Sequence, residues 1–320
     1  MAKKKQGDVS IANILAIIGL AAYGVISFFG EYFVSSGGSP VRAVFIAIAL
    51  VAVLAFLLFF SIKAKGAEDN PDKWRFVEWG CLILYIGVVV AGSGPFHRFF
   101  VAVTQKEELK NAATEQFQAI NNLFSEYNSQ KDMHMSAAYE ELKNYLASDQ
   151  AKRVKNDSLA NYVKTRIKTV DDWATECESI LTITPDSGIE KLKEDINAWN
   201  YMRLPSLAWN LDRSYVKAWD TIQDKIEAYG INSGLIPVIA RDENGYAFTG
   251  LATFDLGERP EGTFVQKLKA LDGTTIAGWI VLVLLHLLVL LNYLVAPRTV
   301  VVGPGRRSGE DENLGGGLPV

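Results

Sequence analysis

A chain of 320 residues with a formal net charge of −4 has too little basic charge to follow a phosphate backbone. It also lacks a Lys/Arg patch interleaved with aromatics, so no nucleic-acid partner is expected. The hydrophobic 49% is unevenly spread: four nearly charge-free windows, each close to the ~20 residues that cross a ~30 Å hydrocarbon core, surround a stretch as polar as a soluble protein. Cys81 and Cys177 fall in a span and in that polar stretch, which excludes a disulfide within the chain.

Residues 1–10 form a short basic start carrying Lys3, Lys4 and Lys5. The first span, 11–30, is too long for a signal peptide and lacks a clean cleavage site, so an uncleaved anchor is expected. Ala12, Ala16, Gly19 and Ala22 place small residues on one helix surface suited to close packing. Glu31, just past the span, is expected to be solvated at the interface. The turn Ser35–Pro40 leads into the second span, 41–62. A loop, 63–75, carries Lys63, Lys65, Lys73 and Arg75. The third span, 76–95, begins near Trp74 and Trp79, which suit headgroup depth. The fourth, 275–296, has Trp279 at one end and Tyr293 at the other, and Pro297 stops it. The Gly-rich, charged tail 297–320 reads as disordered.

Orientation follows from the cations. Three precede span one, four lie between spans two and three, and three more (Arg298, Arg306, Arg307) follow span four, against Arg42 alone in the short opposite loop. Both termini are therefore expected in the cytoplasm and residues 96–273 outside it, in the periplasm of a bacterium with two membranes.

The 96–273 insert reads as helices with a late hairpin. Leu109, Ala113, Phe117, Ile120, Phe124 and Tyr127 make one stripe, and Met135, Tyr139, Leu142 and Leu146 a second. Leu159, Val163, Ile167, Val170, Ala174, Cys177 and Leu181 make a third, read as one helix. A helix from Ile189 to Met202 ends before Pro205, and another from Ala208 to Tyr229 closes at Gly230. Residues 235–254 then read as a β-hairpin turning at Asp242-Glu243-Asn244-Gly245, with its Asn-Gly step, and Thr263–Leu271 as a short helix. The expected class is a mainly α membrane protein: four transmembrane helices with a large helical extracytoplasmic domain, plus a small hairpin, between helices 3 and 4.

An ionisable group at the middle of a span is costly unless neutral and partnered, which singles out His286. Tyr85 and Ser27 are its expected partners across spans, and Asn292 extends the same polar seam. His97, His134 and His286 have no second ligand at metal spacing, so no metal is expected. Cys177 lies on an apolar stripe and reads as a buried structural residue. Asp171-Asp172 point about 100° apart on a helix and do not form a general acid/base pair. No cofactor and no enzymatic activity are expected.

Partner-binding candidates are Trp209 in the broken region after Pro205, Asn244, Gly245 and Tyr246 at the hairpin, and Leu318 and Val320 as anchors on the Gly-rich tether. Trp199 and Trp219 are expected in the core. The reading is an inner-membrane subunit that scaffolds an envelope assembly of the secretion, motility or defence type. Its partners are the lipid bilayer, other membrane or periplasmic proteins, and a second copy of itself. The alternative is a sensor whose insert binds a ligand and signals through a partner; this is similar, in architecture alone, to the helical input domains of bacterial chemoreceptors and sensor kinases.

Overall fold

The computed structural model describes residues 11–35, 40–67, 71–153, 157–229 and 235–298. Helices dominate, with one two-stranded sheet. The described chain divides into two compact units. The first holds residues up to Phe29, Ala43–His97 and those from Thr274 on; the second holds Gly30–Arg42 and Arg98–Gly273.

The helices α1 (Ile11–Val34), α2 (Val41–Lys65) and α12 (Ile276–Val295), with the stretch Asp72–Thr104, are long and apolar enough to cross a membrane. That stretch contains α3 (Pro71–Ala91) and α4 (Ser93–Thr104), separated at Gly92. The third apolar segment thus runs past the expected end at residue 95, because Phe99, Phe100, Val101 and Val103 continue it. Close approach fixes the small-residue face of α1. A Cβ on Gly19 would lie 2.8 Å from Val289 Cγ2 and 3.1 Å from Leu285 O on α12. Large apolar side chains such as Phe45, Phe56, Phe76 and Ile276 point outward, an arrangement suited to hydrocarbon rather than water.

One end of the first unit is tied by polar groups. Lys65 Nζ donates to Tyr293 O (2.7 Å) and Leu294 O (3.3 Å), capping the last carbonyls of α12 from the last turn of α2. Glu78, near the start of α3 and only 1% exposed, accepts from Tyr293 Oη and from Arg298 at 2.8 and 2.9 Å. The end of α2, the start of α3 and the end of α12 therefore meet.

The second unit is built on α5 (Lys106–Ala147), a helix of 42 residues, about 63 Å long at 1.5 Å per residue. The two stripes read between Leu109 and Leu146 belong to this one helix, and a short α6 (Asp149–Arg153) follows it. Its buried face runs Leu109, Ala113, Gln116, Ile120, Phe124, Tyr127, Lys131, Met135, Ala138, Leu142 and Tyr145. Lys131 sits where the apolar repeat lapses. Its Nζ reaches Glu178 Oε1 (2.8 Å), Thr182 Oγ1 (2.7 Å) and Asp132 Oδ1 (3.0 Å), so a 2%-exposed ammonium keeps the face continuous.

The third stripe, expected as one helix, is two: α7 (Ser158–Arg166) and α8 (Val170–Leu181). The break has a cause. Thr169 Oγ1 accepts from Asp172 N at 3.0 Å and starts a new helix with Asp171 and Asp172 in its first turn, where carboxylates favour the dipole. Asp157 and Asp186 cap α7 and α9 (Ser187–Ala198) in the same way. The helix expected to reach Met202 stops at Trp199, which takes a left-handed φ of 34°. A 3₁₀ turn, Tyr201–Arg203, then leads into α10 (Leu204–Tyr229). Pro205 does not separate two helices; it lies in the first turn of α10, where its missing N–H costs nothing. Gly230 lies outside the described residues.

Met135, Leu142, Tyr145, Leu159, Trp173 and Leu181 form a core under the sheet with Ile236 and Ala252. Trp199 is buried, whereas Trp219, expected in the core, is only half-buried. The strands are β1 (Pro237–Asp242) and β2 (Gly245–Leu251), antiparallel, with Asp242 opposite Gly245, Arg241 opposite Tyr246 and Ile239 opposite Phe248. A bulge lies opposite Val238 and Ile239, with Thr249 as the extra residue on β2. The strands are shorter than the expected 235–254, although Ala252 N still donates to Ile236 O at 2.9 Å. The last element of this unit is α11 (Phe264–Lys269).

Candidate functional site

The structure brings His286 and Tyr85 together: Tyr85 Oη lies 2.8 Å from His286 Nδ1, with both side chains buried. Tyr23 of α1 packs edge-on to the imidazole at 4.9 Å and donates its hydroxyl to Gly92 O (3.1 Å). Ser27, the other expected partner, is also buried, but its Oγ makes no hydrogen bond among the described residues. Asn292 lies in the last turn of α12, where its carbonyl accepts from Ala296 N. Chemically the arrangement is a hydrogen bond between α3 and α12, with α1 closing over it, in a setting where polar contacts hold helices together.

Glu31 corrects an expectation. It is not solvated but 3% exposed, and it meets Arg42 and Arg98 at 3.0 Å each. The sequence reading placed Arg42 alone in its loop and gave Arg98 no role. A carboxylate at a helix end is free in sequence, and only the approach of α4 to the end of α1 reveals its second cation.

Trp209 lies in a groove on the second unit and is 45% exposed. The groove encloses about 720 Å³. One wall is the α10 face that carries Trp209, Arg213, Val216 and Asp220, at steps of three and four; the other carries Val265 and Lys269 of α11. Asp212 fixes that second wall. Its carboxylate accepts from Phe264 N and Val265 N at 3.1 Å each and from Gln116 Nε2 at 2.7 Å. Thr263 starts α11 without a side-chain cap, so Asp212 supplies from α10 the acceptor that the N-terminus lacks. Asp220 is paired with Arg259 (2.9 Å) and Lys217 with Asp186 (3.0 Å). The last pairing, first by its hydrogen bond and with a smaller opposing effect of burial, holds the Asp186 carboxyl below its usual range.

At the hairpin, Asn244 is exposed, and Gly245 alone of the turn residues takes a positive φ, 114°. The left-handed position is therefore Gly245 and not Asn244, which differs from a turn with both central residues left-handed. Tyr246 receives the side chain of Gln150: its N–H donates to Oε1 (2.7 Å) and its carbonyl accepts from Nε2 (2.8 Å). A Cβ on Gly245 would collide with the same amide. The sequence reading singled out Asn244, Gly245 and Tyr246 but not Gln150, which lies about 95 residues earlier and has no motif to announce it. Leu318 and Val320 lie outside the described residues.

Burial pushes the Cys177 thiol up to about 12, with Glu176 adding to the shift, so the sulfur is a thiol at neutral pH. Among the described residues, no group of three or more His, Cys, Asp or Glu is placed to hold a metal ion. No protein-family model matches the chain, and comparison with curated proteins and with solved structures found no match.

Proposed function

We propose that the chain is a non-enzymatic, integral inner-membrane subunit of a multiprotein envelope assembly. Both termini face the cytoplasm, and residues 96–273 form a periplasmic helical domain that binds other proteins. The cation distribution supports the orientation, and the meeting of the ends of α2 and α12 with the start of α3 is consistent with loop 63–75 and tail 297–320 sharing one side. The observation that carries the binding role is the groove at Trp209: a half-exposed tryptophan beside Arg213, facing an α11 wall that the Asp212 contacts join to α10. Tryptophan and arginine are the residue types most often responsible for interface energy.

The test is purification of the full-length protein from its native membrane in mild detergent. Partners in fixed stoichiometry are expected, and Trp209→Ala should weaken their retention about 30-fold, the effect of losing ~2 kcal/mol at a binding hot spot. A lone monomer would sink the proposal. The alternative, a sensor, is favoured by the groove volume, which lies within the roughly 300–1,000 Å³ of small-molecule sites. A thermal shift of the purified full-length protein against a metabolite panel decides for it, and no shift counts against it.

A further inference from the structure

We propose that β1 is a docking edge for an extended segment of a partner protein, which adds to the hairpin as a third strand with an acidic residue beside Arg241 and an apolar one beside Ile239. This rests on the interaction-subunit reading above and specifies a second surface for it.

The argument begins with Gln150. In an antiparallel pair, opposed residues either both turn their N–H and C=O toward each other or both turn them away. Tyr246 gives both groups to the Gln150 side chain, so it faces away from β1. Arg241 opposite it must then direct its own N–H and C=O to the far flank. Ile239, two residues back and opposite Phe248, does the same. One primary amide thus occupies the β2 flank as a neighbouring peptide group would, and the β1 flank is the one left for a strand.

Most residues of β1 are open to solvent. Val238 is 41% exposed, and Ala240, Arg241 and Asp242 are exposed as well. Pro237, which has no N–H, leaves Ile239 and Arg241 as the residues that can offer the ladder one donor and one acceptor each; the extra residue of the bulge, Thr249, lies on β2 and does not interrupt this flank. So short a ladder leaves specificity to side chains. The Arg241 guanidinium lies over the Tyr246 ring at 5.3 Å, and no salt bridge neutralises it among the described residues. A carboxylate on the incoming strand complements it as a cross-strand pair. Next to Ala240, on the opposite sheet face, there is room for any side chain.

The experiment uses full-length protein in mild detergent and a fluorescent peptide, Thr-Val-Thr-Glu-Ser-Val-Thr, with a control in which Lys replaces Glu. Arg241→Pro removes the outward N–H without touching the β1–β2 ladder, a position where proline is tolerated; Arg241→Ala removes only the charge. The wild type is expected to bind the Glu peptide, Arg241→Ala severalfold more weakly, and Arg241→Pro at least about tenfold more weakly, with melting temperatures nearly unchanged. Equal binding by wild type and Arg241→Pro, or none up to millimolar peptide, overturns the edge. Assemblies purified from native membranes separate the two claims. Partners retained equally by wild type and Arg241→Pro leave the interaction role standing and remove β1 from it. A dimer of this chain that dissociates on Arg241→Pro assigns the edge to a second copy and overturns the partner segment. A wild type without partners removes the interaction role itself.

Discussion

The two units bury opposite kinds of side chain with the same secondary structure. In the second unit, large apolar side chains such as Leu142, Leu159 and Trp173 turn inward, and helix starts are closed by Asp157, Thr169, Asp186 and Asn200. In the first unit, Phe45, Phe76 and Ile276 turn outward while Ser27, Ser61, Glu78 and His286 turn inward. The contrast shows that burial has no fixed meaning along this chain. Water rewards hiding apolar area, whereas lipid is indifferent to it and leaves polar pairs and close packing to order the helices.

Truncating a buried leucine in each unit is the strongest way to break this comparison. Leu142→Ala should destabilise the second unit by about 3 kcal/mol, the transfer and cavity cost of a well-packed site. Leu54→Ala on α2, equally buried, should cost only ~1 kcal/mol, because packing contacts are lost without a solvent-driven term. Chemical unfolding of the full-length protein in detergent, followed separately by near-ultraviolet circular dichroism and by span-specific probes, measures both. Equal losses would refute the contrast.

The polar counterpart is next in size. Tyr85→Phe removes the 2.8 Å contact to His286 and should cost about 0.6–1.7 kcal/mol, the range found for hydrogen bonds between spans. A loss of 3 kcal/mol or more in the same titration would mean that the seam dominates the packing of the first unit.

Lys131→Met tests a polar group buried in the second unit. Replacing a buried ion pair by an isosteric apolar group is often neutral or stabilising, and Glu178 and Asp132 are exposed enough to be solvated. The expected change is below about 1 kcal/mol in thermal unfolding. Titration should sharpen this. Burial lowers the Lys131 pKa, but Glu178 and Asp132 outweigh it and the net shift is upward. Glu178 is shifted downward, first by its hydrogen bond to Lys131. The lysine contribution is therefore present below its unfolded value near ~10.4 and lost as pH rises through the folded value. The glutamate contribution is present above ~4.3 and lost as pH falls through its folded value. The wild-type melting temperature should fall more than that of Lys131→Met on leaving the window between about pH 5 and 10. Parallel curves would show that the pair contributes nothing.

Much of the first unit is readable from residue order, because four apolar runs of span length need no tertiary information. The spans also limit the partners of His286 to a few polar residues, of which Tyr85 makes the bond. The second unit is less legible, for physical reasons. Lys131 interrupts an apolar stripe on a helix that does not itself break, since Glu178 of α8 and Thr182 just after it reach its ammonium. Thr169 splits an unbroken apolar repeat because a local cap outweighs periodicity. Asp212 and Gln150 stay invisible, as each completes an element distant in sequence with an ordinary polar side chain. Trp209 could be suspected as exposed beside a proline, but its groove depends on α11 being carried to α10 by a carboxylate.

The amide of Gln150 has a genealogical consequence. It occupies the space that any side chain at position 245 would need, and it satisfies the main chain of the next residue. Glycine at 245 and glutamine at 150 are thus one structural choice written at two places. A relative that gains a side chain at the first should shorten the second, and in doing so would bare the β2 flank. Paired change at these two positions, read across homologous sequences, would mark lineages in which the sheet offers strands on both sides instead of one.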